Sequence, residues 1–159
     1  MVLYHGSNIE IKHPSLNFSR TSLDFGAGFY TTSVFAQAEK WAKRVTSIRK
    51  SGEPVVSVFE ISDPIFQTLN VLRFNSADRD WLELVVQYRT DQMPELNPDI
   101  IVGPVANDRT VDVINQYIAG TYPIDIALQL LLPMQFKDQW TFKTERALNA
   151  LVWKDGLFL

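Results

Sequence analysis

The chain has 159 residues, of which 46% are hydrophobic and 21% charged, and it contains no cysteine. A chain of about 150 residues buries roughly 70% of its unfolded surface, so one real core is expected and a disordered or fibrous class is excluded. The formal net charge of −3 argues against general coating of nucleic acid, which needs a strong basic excess, and the missing cysteines exclude disulfides, thiolate metal sites and thiol nucleophiles.

The length favours a single domain over residues 1–159, without repeats or a low-complexity linker. The N-terminus has no charged segment followed by a long apolar run, and the apolar stretch from Ile126 to Met134 is too short to span a bilayer. The expectation is a cytoplasmic protein with no membrane partner.

Val2 to His5 reads as a short strand running into the Gly6-Ser7-Asn8 turn, followed by a long irregular stretch to Gly28. Thr31, Thr32 and Ser33 offer hydroxyl caps for a helix whose apolar residues Phe35, Ala38, Trp41, Ala42 and Val45 recur at helical spacing. Lys50-Ser51-Gly52 ends that helix. Pro54 to Ile61 is a β-branched strand, and Leu69 to Phe74 is another. Ser76 is placed to cap a helix reaching about Tyr88, with Trp81, Leu84, Val85 and Tyr88 as its apolar stripe. Asp99 to Val105 reads as a buried strand. Asn107 or Asp108 caps the next helix, and Gly120 terminates it. Pro123 opens a short apolar helix that stops at Pro133. Gln139 to Thr144 alternates as a strand, a short helix follows at Glu145 to Asn149, and Leu151 to Phe158 forms the last strand. Helices and strands do not alternate as in a doubly wound sheet, so the fold class is α+β with a mainly antiparallel or mixed sheet. The aromatics Phe59, Trp41, Trp81 and Trp153 are expected in the core.

No Gly-x-Gly-x-x-Gly follows a strand, and there is no Walker loop. His5 and His13 have no carboxylates at metal-ligand spacing, so no metal site is expected. Taken alone, His5 at a strand end and Tyr30 in a glycine-flanked strand are most simply structural.

Their context points elsewhere. Leu3–Ser7 (Leu-Tyr-His-Gly-Ser) resembles the first motif of the ADP-ribosyltransferase superfamily, in its diphtheria-toxin-like and PARP-like branch. Asp24–Thr32 (Asp-Phe-Gly-Ala-Gly-Phe-Tyr-Thr-Thr) resembles the second, and Ser33–Ala42 fits the helix after it. The chain is more closely similar to the bacterial DUF3990 family, with Asp99–Asp108 and Asp138–Leu148 as further blocks in the same order.

The resemblance implies two small, mainly antiparallel sheets forming an NAD cleft, with flanking helices. It implies a mono-ADP-ribosyltransferase that expels nicotinamide from NAD, its substrate, and passes ADP-ribose to a protein or nucleic-acid acceptor. Roles in toxins, effectors or defence follow by analogy and would bring an antitoxin partner. Within this picture His5 bonds a hydroxyl of the adenosine-side ribose of NAD, Gly6 presents its N–H and C=O to the nicotinamide amide, and Tyr30 stacks on the nicotinamide ring. Ser7 and Thr31 add hydroxyl contacts, and Arg20 meets the pyrophosphate. Gln139 falls where the superfamily commonly has a catalytic glutamate. It can bond a ribose hydroxyl but cannot act as a base. The alternative is therefore an NAD- or ADP-ribose-binding module without turnover.

Other residues have plainer readings. Arg20 is equally well explained as a solvated loop arginine. Asp24 suits a loop anchor, Asn107 and Asp108 suit helix caps, and Glu145 suits a helix start. The cations Lys40, Lys43, Arg44, Arg49 and Lys50 suit a solvated helix face better than a phosphate site.

Overall fold

The computed structural model describes residues 1–18, 23–106, 108–132 and 137–159. Among these residues seven strands and five α-helices follow one another. The first sheet contains β1 (Val2–Ser7), β3 (Val55–Glu60) and β7 (Val152–Phe158), in the antiparallel order β1-β3-β7. The second contains β2 (Phe29–Thr31), β4 (Val71–Arg73), β5 (Ile100–Pro104) and β6 (Asp138–Phe142), in the order β2-β6-β5-β4. Its neighbours are antiparallel except β4 and β5, which run parallel. The expected α+β class with two small, mainly antiparallel sheets is what the chain forms.

The helices are α1 (Phe35–Arg49), α2 (Arg79–Arg89), α3 (Asp108–Ile118), α4 (Ile124–Leu131) and α5 (Glu145–Leu148). Among the described residues no helix is long and apolar enough to cross a membrane. The helix α2 joins β4 to the parallel β5, as a parallel connection requires.

Alternation along the strands sorts the side chains into layers. From β1 and β3, Tyr4 and Val56 face α1, where they pack with Phe35, Ala38 and Ala42. Leu3 and Phe59 face the other way, into a cluster with Phe29, Ile100, Val102, Trp140 and Phe142 of the second sheet. The opposite face of the second sheet, through Ile101, meets Trp81, Leu84, Val85 and Tyr88 of α2, with Ile114, Ala127 and Leu131 behind them. The layers are thus α1, first sheet, second sheet, then α2 to α4.

Several local expectations are corrected. Ser76 does not cap α2. Asp78 does, its Oδ1 accepting from Trp81 N at 3.0 Å, while Ser76 Oγ donates to Asp78 Oδ2. The cap of α1 is Val34, without a side-chain bond; Thr31 Oγ1 donates to Trp140 O and Thr32 Oγ1 to Asp138 Oδ1, holding β2 to β6, and Thr32 Oγ1 also accepts from Val34 N at 3.1 Å. Pro123 is the cap of α4, not its first turn. Thr144 leaves β6 to cap α5, accepting from Ala147 N. Trp81 and Phe59 are core, but Trp41 is 53% exposed and Trp153 only partly buried. Gly120, at φ 75°, ends α3 as expected, with Thr121 N reaching back to Gln116 O.

Trp41 is exposed because α1 lies unusually close to β1. A Cβ on Gly6 would come within 2.0 Å of Ala38 O and 2.9 Å of Ala42 N. Only a narrow stripe of small residues fits under such a helix, and Trp41 lies about 100° around the helix from Ala42. Gly6→Ala is expected to destabilise the fold by about 1–3 kcal/mol through overpacking. Urea unfolding would show a lower midpoint at unchanged m-value; an unshifted midpoint would contradict the close approach.

Candidate functional site

Among the described residues one backbone bridge joins the two sheets. Tyr4 and Thr32 exchange both backbone hydrogen bonds, at 2.8 and 3.0 Å, and beyond this bridge β1 and β2 part. In an antiparallel strand every second residue turns its N–H and C=O to the same side. Tyr4 turns them away from β3 to Thr32, so Gly6 turns its own the same way, into the fork. Tyr30, two residues before Thr32, faces Gly6 from the other arm.

His5 sits in this fork. Its Nδ1 lies 2.7 Å from Tyr30 O. A carbonyl only accepts, so Nδ1 carries the proton and the neutral ring offers Nε2 as a lone-pair acceptor. Burial lowers the His5 pKa, against the opposing pull of the Tyr30 carbonyl, and Arg49 lowers it further. The ring stacks on Phe29 with centroids 4.4 Å apart. Ser7 is buried two residues along, on the same strand face as His5.

The structure therefore brings His5, the backbone of Gly6 and the backbone of Tyr30 together. The need for glycine at position 6 arises beneath α1, on the side where its Cβ would point. Thr31 is buried and its hydroxyl is committed to Trp140 O at 3.3 Å. Arg20 and Asn107 lie outside the described residues, as does the side chain of Asp108.

The Tyr30 side chain projects from the face of β2 opposite to Phe29, among the residues that pack on α2. Its hydroxyl donates to Gly26 O at 2.7 Å and accepts from Phe25 N at 3.1 Å. Burial raises its pKa, so the phenol stays protonated. The ring thus braces the glycine-rich loop. Lys143 braces it too, donating from Nζ to Phe25 O while lying 4.4 Å from the Tyr88 ring centroid. Burial brings the Lys143 pKa down to about 8.

Asp24 anchors the start of the loop. Its Oδ1 accepts from Arg89 Nε at 2.9 Å and Arg89 Nη2 at 2.5 Å; its Oδ2 accepts from Ala106 N at 3.1 Å and Gln139 Nε2 at 3.4 Å. Gln139 Nε2 also reaches Pro104 O at 3.3 Å. Gln139 is buried and shares the sheet face of Gly103, its partner on β5, not the face of Phe29 and His5. The structure does not bring the Gln139 amide to the fork.

Local spacing gave no role to Arg89, Lys143 or Asp138. Asp138 Oδ1 accepts from Thr32 Oγ1 at 2.9 Å and Ser33 N at 3.1 Å, and its Oδ2 accepts from Trp140 Nε1 at 2.7 Å. It locks the end of β2 behind the bridge. Glu145 is the exposed first residue of α5, and the basic residues of α1 are exposed, with Lys43 paired to Glu39 at 2.6 Å and Arg49 bonded to Asn8 Oδ1. Among the described residues no cluster of potential ligands could hold a metal ion. One cavity of about 370 Å³ lies beside Gln87 to Leu96 and one of about 230 Å³ beside Arg73 and Asp138; His5, Gly6 and Tyr30 line neither.

Two predictions follow from these contacts. The Arg89–Asp24 pair is largely buried, so Arg89→Met, which strands the carboxylate, is expected to destabilise by about 3–5 kcal/mol. Adding Asp24→Asn should recover part of that loss in urea unfolding, and a full additive loss would deny the pairing. His5 has a folded pKa below its ordinary 6.5. Above 6.5 it is neutral in both states; as the pH falls through 6.5 the unfolded chain binds the proton first, so stability drops toward the folded pKa. His5→Gln should flatten the stability profile between about pH 7 and 5, and identical slopes would show that the ring is not shielded.

Comparison with known families matches residues 1–153 to the one described as "Protein of unknown function (DUF3990)". No curated protein and no solved structure matches the chain. Since the match runs from the first strand through the fork, the loop and β6 into β7, the chain belongs to the DUF3990 family.

Proposed function

We propose that the fork between β1 and β2 binds NAD and that the protein is an ADP-ribosyltransferase-type enzyme. The observation that carries this reading is the pairing of a His5 ring fixed with Nε2 as acceptor and a Gly6 N–H and C=O turned into the same opening. A carboxamide carries one donor group and one acceptor, and an adjacent backbone N–H and C=O satisfy both. A ribose hydroxyl is a donor that Nε2 can accept. The adenosine-side ribose and the nicotinamide belong to one NAD molecule, so an NAD bent across the opening can meet both groups.

In the reaction, the bond between ribose C1′ and the nicotinamide nitrogen breaks and its electrons leave with nicotinamide. Positive charge gathers on the sugar, an acceptor atom forms the new bond to C1′, and the acceptor's proton is released. The neutral His5 ring keeps positive charge away from the sugar as its own charge develops. Gln139 supplies no base, and its amide nitrogen is engaged with Asp24 and Pro104 O. An acceptor that needs little deprotonation, such as a carboxylate, suits this site best. The same engagement of Gln139 favours the second reading, a module that binds NAD or ADP-ribose without turnover.

Nicotinamide release from NAD, measured with cell lysate as acceptor source, tests the first reading. Release is expected from the native chain, with His5→Ala lowering it about tenfold or more. Tyr30→Phe keeps the ring but loses the bonds to Phe25 and Gly26; Tyr30→Ala removes both. Stacking on the nicotinamide predicts that only Tyr30→Ala abolishes release. NAD binding by calorimetry without release would move the assignment to the binding module, and no binding would end both.

A further inference from the structure

The cavity of about 230 Å³ at the C-terminal ends of β4 and β5 is lined by Arg73, Asn75, Gly103, Pro104, Lys137 and Asp138, among others. Sites for drug-sized ligands span roughly 300–1,000 Å³, so this space suits one small group and not a whole dinucleotide.

Its walls are chemically one-sided. Four of the backbone acceptors around it are engaged: Val102 O takes Phe74 N, Lys137 O takes Val105 N, and Asp138 O takes Gln37 Nε2. Pro104 O takes both Trp81 Nε1 and Gln139 Nε2. The one carboxylate, Asp138, accepts three hydrogen bonds from Thr32, Ser33 and Trp140. The donors stand differently. Arg73 lies 4.8 Å from the Trp140 ring centroid, a contact that uses the flat face of the guanidinium and leaves its N–H groups around the edge. Lys137 brings a second cation, and Asn75 brings an amide. Among the described residues no carboxylate forms an ion pair with Arg73 or Lys137.

We infer that this cavity is an anion site that takes a phosphate group, either free phosphate or a phosphate monoester. Two cations and an amide from two lining segments, Arg73 with Asn75 and Lys137, match a tetrahedral oxyanion better than a planar carboxylate, which presents two oxygens. The residues that would hold it are separate from His5, Gly6 and Tyr30, so the site stands or falls independently of NAD binding.

The test is a backbone amide NMR titration with inorganic phosphate, and in parallel with glycerol phosphate, at ionic strength held constant with chloride. Saturable shifts at Arg73, Asn75 and Lys137 are expected, and the stronger of the two ligands identifies the source of the phosphate. Arg73→Gln and Lys137→Gln should each weaken the apparent Kd about tenfold, the effect of one charge-assisted hydrogen bond. Lys40→Gln, on the exposed face of α1, should leave it unchanged, and dispersed spectra of all three variants report that they fold. Shifts that never saturate, shifts equal to those from acetate, or a Kd indifferent to Arg73→Gln and Lys137→Gln would each overturn the assignment.

Discussion

One reciprocal pair of backbone hydrogen bonds, between Tyr4 and Thr32, joins the two sheets, and the site depends on its stopping there. Had β1 and β2 continued to pair, Gly6 and Tyr30 would have consumed each other's polar groups. Instead the strands open, and those groups need other partners, since buried backbone polar groups rarely go unpaired. His5 takes the Tyr30 carbonyl. Phe29 and Phe59, in edge contact at 5.6 Å between centroids, fill the space between the arms. Each hydrogen bond forgone is worth only about 0.5–1.5 kcal/mol net, and burial of one large apolar side chain contributes about 1.5–3 kcal/mol. A split sheet wedged by aromatics is therefore an affordable arrangement.

Behind the fork, buried charge decides which residues the glycine-rich loop can tolerate. Asp24 is held by Arg89, by Ala106 N and by the Gln139 amide. A glutamate at position 139 would set a second carboxylate against Asp24 in a buried site, and like charges at that distance force one group to take up a proton. Glutamine instead donates. Glutamine at position 139 thus has a local electrostatic reason in this chain. The braces on Phe25 and Gly26 from Lys143 and Tyr30 extend the same support, so the loop is held by side chains from β2, α2 and the end of β6.

What was legible in the sequence was what local spacing encodes. The stripe of Trp81, Leu84, Val85 and Tyr88 faces the core as its 3.6-residue period requires. The β-branched run of β3 is a strand, and Gly120 stops α3 at positive φ. Trp41 has the same period as its buried neighbours, yet its exposure follows from how closely α1 lies on Gly6, a tertiary fact. Ser76 and Asp78 are both good caps by type, and only the position of Trp81 N distinguishes them. The bond from Lys143 to Phe25 and that from Gln139 to Asp24 span more than a hundred residues, so no window of sequence holds both partners. His5 and Tyr30 were singled out through motif resemblance; their meeting through ring and carbonyl required the fold.

Asp138 ties the two regions of interest together. Its carboxylate closes the back of the fork through Thr32 and Ser33, and the same residue walls the cavity beside Arg73 and Lys137. Three donors, from Thr32, Ser33 and Trp140, engage the Asp138 carboxylate on its inner side. Among the described residues no carboxylate pairs with Arg73 or Lys137 across the cavity, so an incoming anion would not have to displace one. Because β2 is only three residues long and ends at this junction, Asp138 holds the base of the strand that carries Tyr30. The placement of one acidic residue, at the first position of β6, thus sets both how firmly the fork is closed at its base and what charge the neighbouring cavity can accept.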